Sequence, residues 1–193
     1  MRGLFFLAAL LPPDLEEKII AFKHDFAENY SAPYALKPPG HITIAETFNA
    51  NAPDVEKFNP QLEKLFAAFS PITAEVRNFA GWPSSLAIVA AIQNRQEFQG
   101  IHEALFWFCK NTRLLGPKAV TKKTFTPHIT VGYRDLTEEN FHAAWKKYSQ
   151  LQFSADFVID RIHLMHHKKK WQSVHEYPLL GLTDNRGEQL KLF

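Results

Sequence analysis

The feature of this sequence that most constrains its fold is a four-residue pattern that occurs twice, at residues 41–44 and again at residues 128–131. Each copy reads histidine, aliphatic residue, threonine, aliphatic residue. Successive side chains of a β-strand point to opposite faces, so His and Thr share one face and the aliphatic residues share the other. Each copy is therefore predicted to be a strand that buries its aliphatic side chains and displays an imidazole beside a hydroxyl group.

The repetition of this pattern indicates function. A histidine followed two residues later by threonine is a weak motif, since nine histidines and ten threonines produce about 0.5 such pairs by chance. Requiring aliphatic residues at the other two positions makes even one chance copy uncommon. Both copies also follow proline, within Pro38-Pro39-Gly40 in one case and at Pro127 in the other. An ordinary half-exposed strand is a sufficient explanation for one copy of the pattern, but a poor one for two copies.

Helical and strand patterns alternate around the two motifs. Apolar residues at helical spacing predict helices over about 12–29, 53–69, 95–112 and from 137 onward. Apolar runs and alternations predict strands over about 2–11, 41–48, 72–79, 86–92, 127–134, 151–157, 161–167 and 171–178. The order strand, helix, motif strand, helix, paired strands is followed by helix, motif strand, helix, paired strands. The second half of the chain thus partly repeats the first.

This order predicts an α+β fold with two lobes related by a pseudo-twofold axis, antiparallel sheets lining a central cleft and helices packed outside. We expect residues 1–193 to form one domain of two interleaved lobes, because a chain of this length fits such a domain. The two motif strands would face each other across the cleft and bring two histidines and two threonines together.

Composition sets broader limits. The formal net charge is only +2, which excludes a strongly basic nucleic-acid-binding coat but leaves room for a local basic site. Cys109 is the only cysteine, so no intrachain disulfide can form, and we expect a cytoplasmic protein. The apolar run before Pro12 is short and lacks a cleavage pattern, which favours a buried first strand over a signal peptide. No apolar run approaches the ~18 residues that a membrane span needs. We also expect a monomer without an obligate protein partner.

Two histidines and two threonines on one face suit acid–base chemistry on a phosphodiester. Imidazole has a pKa of about 6.5, so near neutral pH one histidine can be neutral and the other protonated. On a cyclic phosphate the neutral one would take a proton from water, and the protonated one would donate a proton to the leaving sugar oxygen. The threonine hydroxyls would hydrogen-bond the non-bridging oxygens. This chemistry requires no metal or cofactor, and we predict none.

The paired motifs, 87 positions apart, resemble those of the 2H phosphoesterase superfamily. Within it the chain is similar to the bacterial group of 2′-5′ RNA ligases and RNA 2′,3′-cyclic phosphodiesterases, and the similarity covers most of the chain. Residues 2–8 resemble the family's opening strand and residues 125–134 its second motif segment. Residues 164–179, with Trp171 among them, resemble its closing hairpin.

The resemblance implies that His41 and His128 are catalytic and that Thr43 and Thr130 hold phosphate. It also implies the two-lobed fold and the opening of a 2′,3′-cyclic phosphate at an RNA end to a 2′-phosphate. The reverse reaction would join RNA ends through a 2′-5′ linkage. The chain departs from the family in its loops and in the lysine-rich turn at 168–170, which are the regions that choose a substrate.

Five further residues are candidates for contact with substrate. Arg134, six positions after the second histidine, would share its face if the strand stays regular; it could bind phosphate or form a surface ion pair. Tyr133 could stack on a base, although core or edge packing is the commoner role. Lys123 lies in the loop before the second motif and could attract a polyanion. Phe6 and Trp171 could line the pocket, with burial in the core as the default alternative.

Three other hypotheses compete with this one. Four histidines in the tail, at 163, 166, 167 and 175, suggest zinc, but 166 falls on the opposite strand face from 163 and 167, and no cysteine supports a site. A small cyclic nucleotide or a 2′-5′-linked oligonucleotide is the alternative substrate. A non-catalytic protein that binds RNA or another phosphorylated ligand is the alternative from another class. Intact histidines in both motifs favour the enzyme, because binding alone does not need a paired acid and base.

Overall fold

The structure is a computed structural model that describes residues 2–112, 114–115, 119–122 and 125–182. Its strands are β1 Gly3–Leu10, β2 His41–Ala50, β3 Ile72–Trp82, β4 Ala87–Ile92, β5 His128–Gly132, β6 Ser154–Ile159, β7 Arg161–His167 and β8 Trp171–Pro178. Its helices are α1 Pro13–Asn29, α2 Ala52–Ala67, α3 Arg95–Thr112 and α4 Glu138–Tyr148, with short 3-10 turns at Pro33–Leu36 and Pro83–Ser85. None of the helices in these described residues is long and apolar enough to cross a membrane.

Two helices, α2 and α4, begin where a side chain satisfies a free backbone N–H group. Helix α2 starts with a capping box, in which Asn51 accepts from the Asp54 N–H and the Asp54 carboxylate accepts from the Asn51 N–H. The Thr137 hydroxyl accepts from the Asn140 N–H at 3.1 Å and caps α4. Helix α1 has Pro13 in its first turn, where the missing N–H costs nothing.

The strands form one eight-stranded antiparallel sheet in the order β6-β3-β4-β5-β2-β1-β7-β8. The two motif strands, β5 and β2, are neighbours at its centre, where Ile42 pairs with Ile129. The predicted α+β class, with an antiparallel sheet and helices packed against it, is confirmed. The two halves join edge to edge in a single curled sheet, so the motifs lie side by side rather than on opposite walls.

The order of strands along the chain suggests that β3 and β4 lie beside the first motif and that β7 and β8 lie beside the second. The sheet has the reverse arrangement. Strands β3 and β4, which follow the first motif, pair with β6 and β5 on the side of the second motif. The C-terminal hairpin of β7 and β8 instead pairs with β1, beside the first motif. Each half therefore contains strands from both ends of the chain, because strand pairing depends on contacts that are remote in sequence.

The two faces of the sheet differ in what covers them. Phe5, Leu7 and Ala9 of β1 point into the large core that the sheet shares with the helices. Phe6 and Ala8 of the same strand point the other way and pack in a small separate cluster with a methionine of β7. The helices thus cover one face, and the second face stays open at its centre.

Predicted element boundaries differ from the observed ones mainly at bulges and turns. Strand β5 ends at Gly132 rather than at residue 134, because Arg134 adopts a left-handed conformation with φ 75°. Strand β3 continues through Trp82, a residue that the sequence pattern assigns to a turn. Strand β6 begins at Ser154 because residue 153 is held outside the ladder by two hydrogen bonds with Asn78.

Gly132, at the end of the second motif strand, provides a test of this packing. A Cβ atom at this position would lie 2.4 Å from two ring atoms of Phe26 on α1, a ring that is fully buried. We expect Gly132→Ala to lower the free energy of unfolding by about 1–3 kcal/mol, as overpacking does in other cores. Urea denaturation of the variant and the wild type measures this difference.

Gly100→Ala is the matched control for Gly132→Ala. A Cβ at Gly100, inside α3, would meet its nearest neighbour at an ordinary 3.5 Å. Alanine there should increase stability by about 0.5–1 kcal/mol, because it favours the helix over the unfolded chain. Equal stability of Gly132→Ala and wild type would show that the contact between β5 and α1 is looser than described.

Candidate active site

The two motifs have the same pattern of burial. In each strand the aliphatic residues are buried, and the histidine and threonine lie partly buried on the open face. Ile42 is opposite Ile129 in the antiparallel register. This antiparallel pair places the two motifs side by side, close enough for the charge of His128 to act on His41.

Both imidazoles are held by a backbone carbonyl two residues earlier in the chain. His41 Nδ1 lies 2.7 Å from the Pro39 carbonyl oxygen, and His128 Nδ1 lies 2.8 Å from that of Thr126. A carbonyl can only accept, so Nδ1 carries the hydrogen in both rings. Nε2 of each neutral histidine is then the atom that is able to accept a proton.

Helix α1 fixes the loop that carries the first of these carbonyls. The Glu16 carboxylate accepts the Gly40 N–H with both oxygens, at 2.9 and 2.8 Å. Lys23, only 2% exposed, donates from Nζ to the Pro38 carbonyl at 3.1 Å. A Cβ on Gly40 would lie 2.2 Å from a Glu16 oxygen, so glycine is required for this close approach. Three consecutive residues before His41 are thereby held in place.

Burial makes both histidines weaker bases than free imidazole. The pKa of His41 falls to about 4, because burial and the positive charges of Lys23 and His128 together outweigh the opposing effect of the Pro39 carbonyl. Burial also lowers the pKa of His128, with the Thr126 carbonyl acting in the opposite direction. Lys23 is itself affected, since burial lowers its pKa to about 8 while the charge of Glu16 raises it.

An aromatic side chain contacts each histidine. The Phe6 ring lies 5.0 Å from the His41 ring and packs edge-on against Trp171 at 4.6 Å. The Trp82 ring lies 4.5 Å from His128 in an edge-on arrangement. Phe6 thus contacts the first motif histidine and Trp171 contacts Phe6, and their contact with a substrate stays a prediction. Sequence reasoning missed Trp82, although the pseudo-twofold relation of the motifs is a reason to look for an aromatic residue beside the second one.

Two of the remaining candidates, Arg134 and Tyr133, lie beyond the end of the second motif strand. Arg134 follows the end of β5, donates a hydrogen bond to the Tyr34 hydroxyl and stacks over that ring at 4.8 Å. The regular strand needed to place it on the histidine face is therefore not present. Tyr133 is 41% exposed and also lies beyond β5. Lys123 lies outside the described residues.

The tail histidines have partners other than a metal. His163 Nδ1 contacts the Ser173 hydroxyl at 3.0 Å, and His175 Nε2 contacts a Glu63 oxygen at 2.9 Å. His166 stacks on a phenylalanine of β1 at 4.2 Å. Among the described residues no group of three or more histidine, cysteine, aspartate or glutamate side chains could hold a metal ion.

A cavity of about 560 Å³ opens beside the second motif. Thr43 and His128 form part of its lining, together with Trp82. Its volume lies within the range of sites that bind small ligands. Two imidazoles with free Nε2 atoms, two hydroxyl groups and an adjoining cavity form a site that is able to hold a phosphate and move protons on and off its oxygens.

The influence of Lys23 on His41 is open to direct measurement. We expect histidine NMR titration to show a pKa near 4 for His41, and a higher value in Lys23→Met. Lys23 is charged throughout this titration because its own pKa is about 8, and removing a nearby positive charge favours the imidazolium ion. Lys18→Met, which removes an exposed charge from the same helix, is the control. An unchanged His41 pKa in Lys23→Met would rule out this coupling.

The sequence matches a known protein family over most of its length. A family model described as the 2′-5′ RNA ligase superfamily matches residues 11–171. A protein of Geobacillus sp. (strain WCH70), provisionally named a phosphoesterase, is 27% identical over 176 residues, which are 90% of this chain and 94% of that relative. A similarly named protein of Geobacillus kaustophilus is 27% identical over 158 residues, or 81% of this chain and 84% of the relative.

Solved structures with the same fold are more distant in sequence. Escherichia coli LigT, crystallised with 3′-AMP, has a TM-score of 0.65 at 13% identity, over 93% of this chain and 99% of LigT. TT0787 of Thermus thermophilus has a TM-score of 0.61 at 15% identity, over 95% and 100% of the two chains. These likenesses show the fold, and the family match covers most of the sequence. The chain therefore belongs to the 2′-5′ RNA ligase superfamily of 2H phosphoesterases.

Proposed function

We propose that this protein hydrolyses 2′,3′-cyclic phosphate ends of RNA to 2′-phosphates, without a metal ion. The observation that carries the proposal is the matched pair of histidines. Each has Nδ1 bound to a carbonyl oxygen and Nε2 left as the proton-accepting atom, and both lie on the open face of one sheet. A protein that only binds phosphate has no need of two imidazoles oriented in the same way. Acid, base and phosphate-binding groups are all supplied by side chains of the two motifs.

The proposed reaction moves one proton at each end of an in-line displacement. The neutral histidine takes a proton from water through Nε2 while the water oxygen attacks phosphorus. The bond from phosphorus to the 3′ oxygen breaks, and that oxygen takes a proton from the imidazolium ion of the other histidine. The product has a 2′-phosphate and a 3′-hydroxyl group, and proton exchange with solvent restores the two histidines. Thr43 and Thr130 bind the non-bridging oxygens, where negative charge develops.

The electrostatics favour one assignment of the two roles. Burial and, to a smaller extent, the charge of Lys23 lower the pKa of His41 to about 4. Burial also lowers the pKa of His128, but no lysine or arginine adds to this effect among the described residues. In the singly protonated protein the proton therefore resides mainly on His128. We assign the general base to His41 and the general acid to His128. The same two groups would run the reverse reaction with their roles exchanged, which joins RNA ends through a 2′-5′ linkage.

The relatives support a nucleotide substrate. Escherichia coli LigT has been crystallised with 3′-AMP and also with phosphate. A cavity next to His128 offers this chain a volume that suits a nucleoside. A small cyclic nucleotide or a 2′-5′-linked oligonucleotide would use the same two histidines, and we treat these as related substrates of one chemistry.

Removing either motif histidine should abolish most of the activity. We expect His41→Ala and His128→Ala each to lower kcat/KM by about 10²–10⁴, since each removes one positioned proton transfer. The assay follows opening of a short RNA with a 2′,3′-cyclic end in the presence of a chelator. His24→Ala, which changes a largely exposed histidine on α1, is the control and should retain wild-type activity.

Three outcomes would contradict the proposal. A wild-type protein that is inactive on this RNA and on other cyclic or 2′-5′ phosphodiesters is not the proposed enzyme. Activity that disappears with chelator alone is incompatible with a metal-independent mechanism. Full activity in either alanine variant would remove that histidine from the chemistry.

The pH dependence provides an independent test. We expect a bell-shaped profile of kcat/KM with its maximum below pH 6.5, because the free protein needs one neutral and one protonated histidine. Activity should fall on the acid side as His41 becomes protonated near pH 4. It should fall on the basic side as His128 loses its proton, which occurs below its ordinary pKa of 6.5. Initial rates at low substrate concentration measure the profile; a maximum on the alkaline side of 6.5 contradicts the two lowered pKa values.

A further inference from the structure

The cavity beside His128 is lined by more charge than the phosphate between the two histidines needs. Besides Thr43 and His128, its lining includes two cationic side chains, Arg95 and Lys122, and one carboxylate, Glu46. The remaining described lining residues are aromatic, aliphatic or hydroxyl-bearing, apart from His102. The two cations therefore exceed the one carboxylate in a space that adjoins the reacting phosphate.

These two cationic side chains differ from the other cations near the motifs in having no protein partner. Lys23 is bound to the Pro38 carbonyl, and Lys37 and Arg134 both lie over the Tyr34 ring. Within the residues that the structure describes, the side chains of the cavity's arginine and lysine form no hydrogen bond or ion pair. They are exposed and free to bind a ligand.

The wall that carries them is built from α3. Arg95 and His102 are seven residues apart, so they lie on the same face of the helix. His102 is 7% exposed, and its Nε2 donates to the Lys122 carbonyl at 2.9 Å. Its ring stacks on Phe125 at 4.5 Å with an angle of 10° between the planes. The loop that presents Lys122 is thereby fixed to the helix that presents Arg95.

His102 also brings an unused acceptor to this wall. Since Nε2 carries the hydrogen donated to the carbonyl, Nδ1 of the neutral ring is an acceptor, and it has no hydrogen-bond partner among the described residues. A buried polar atom without a partner is uncommon in a folded protein. A hydroxyl or amino group of a bound ligand is able to donate to this atom in the lining of the cavity, whereas a phosphodiester, which has no hydrogen to donate, is not.

The opposite side of the histidine pair has a different character. There Phe6, which is 4% exposed, packs between His41 and Trp171, and the adjoining cluster of Ala8 and Met165 is apolar. Charged recognition next to the motifs is thus concentrated on the side of His128, where β4 pairs with the second motif strand and α3 begins three residues after β4 ends.

We propose that this cavity is a second anion subsite, in which Arg95 and Lys122 bind the phosphate on the 5′ side of the nucleotide that carries the cyclic phosphate. The inference rests on the proposed function and narrows it. The preferred substrate is then an RNA end, whose last nucleotide always has such a phosphodiester, rather than a cyclic nucleoside phosphate with a free 5′-hydroxyl group. Guanidinium and ammonium groups bind phosphate through charge-assisted hydrogen bonds, which are stronger than neutral ones.

Two substrates that differ only at the 5′ position test the inference. One is a nucleoside 2′,3′-cyclic phosphate with a free 5′-hydroxyl group, and the other carries a 5′-methyl phosphate, which has the single charge of an RNA linkage. Each is prepared with all four bases. We expect wild type to prefer the 5′-phosphorylated substrate by at least about tenfold in kcat/KM. Arg95→Gln and Lys122→Gln should each reduce this preference several-fold, and Lys57→Gln, an exposed charge on α2 outside the cavity, should keep it.

The outcomes separate this inference from the proposed function. Hydrolysis of both substrates with equal kcat/KM overturns the second anion subsite and leaves the phosphodiesterase intact. A preference that persists in both glutamine variants places the anion subsite elsewhere and overturns the assignment to Arg95 and Lys122. No hydrolysis of either substrate or of an RNA with a cyclic end overturns the proposed function and the inference with it.

Discussion

The pairing of Ile42 with Ile129 at the centre of the sheet is the contact on which the site depends. Because the two motif strands are antiparallel, the pairing relates them by a local twofold axis and brings the two histidines onto the same open face. A slip of one residue would turn every histidine and threonine of one strand into the core and bring its aliphatic residues to the open face. Burial of four aliphatic side chains under the helices therefore fixes the position of the four polar ones.

The two motifs are arranged symmetrically, but the residues that hold them in place are not. Each histidine is held by the carbonyl of the residue two positions earlier, so both rings expose the same nitrogen. The loop before His41 is bound to α1 through Glu16 and the buried ammonium of Lys23, whereas α3 holds the loop before His128 through His102. Similar orientation with unequal surroundings is what a paired acid and base require, because two identical histidines would compete for the same proton.

The sequence predicted well what depends on local pattern and poorly what depends on remote contacts. Alternating and helical spacings located the strands and helices, and the four motif residues were selected as candidates because the pattern occurs twice. Residue spacing does not predict that β3 and β4 pair beside the second motif and the C-terminal hairpin beside the first. This arrangement depends on which strand edges meet when the chain folds. Lys23 resembles any solvated helix lysine until α1 packs against the loop, and Arg134 leaves its predicted face through a left-handed backbone conformation that one residue letter does not reveal.

A site with symmetric motifs and asymmetric surroundings is able to apply the same chemistry to different substrates. In the proposed mechanism, proton transfer and phosphate binding use only the motif residues, whose twofold arrangement works in either direction and makes no contact that depends on the rest of the ligand. Choice of substrate would then come from groups that break the symmetry. On one side the histidines adjoin the apolar cluster of Phe6 and Trp171, and on the other they adjoin the charged walls supplied by α3 and the loop before β5. A change in these walls would alter substrate preference without a change in the motifs.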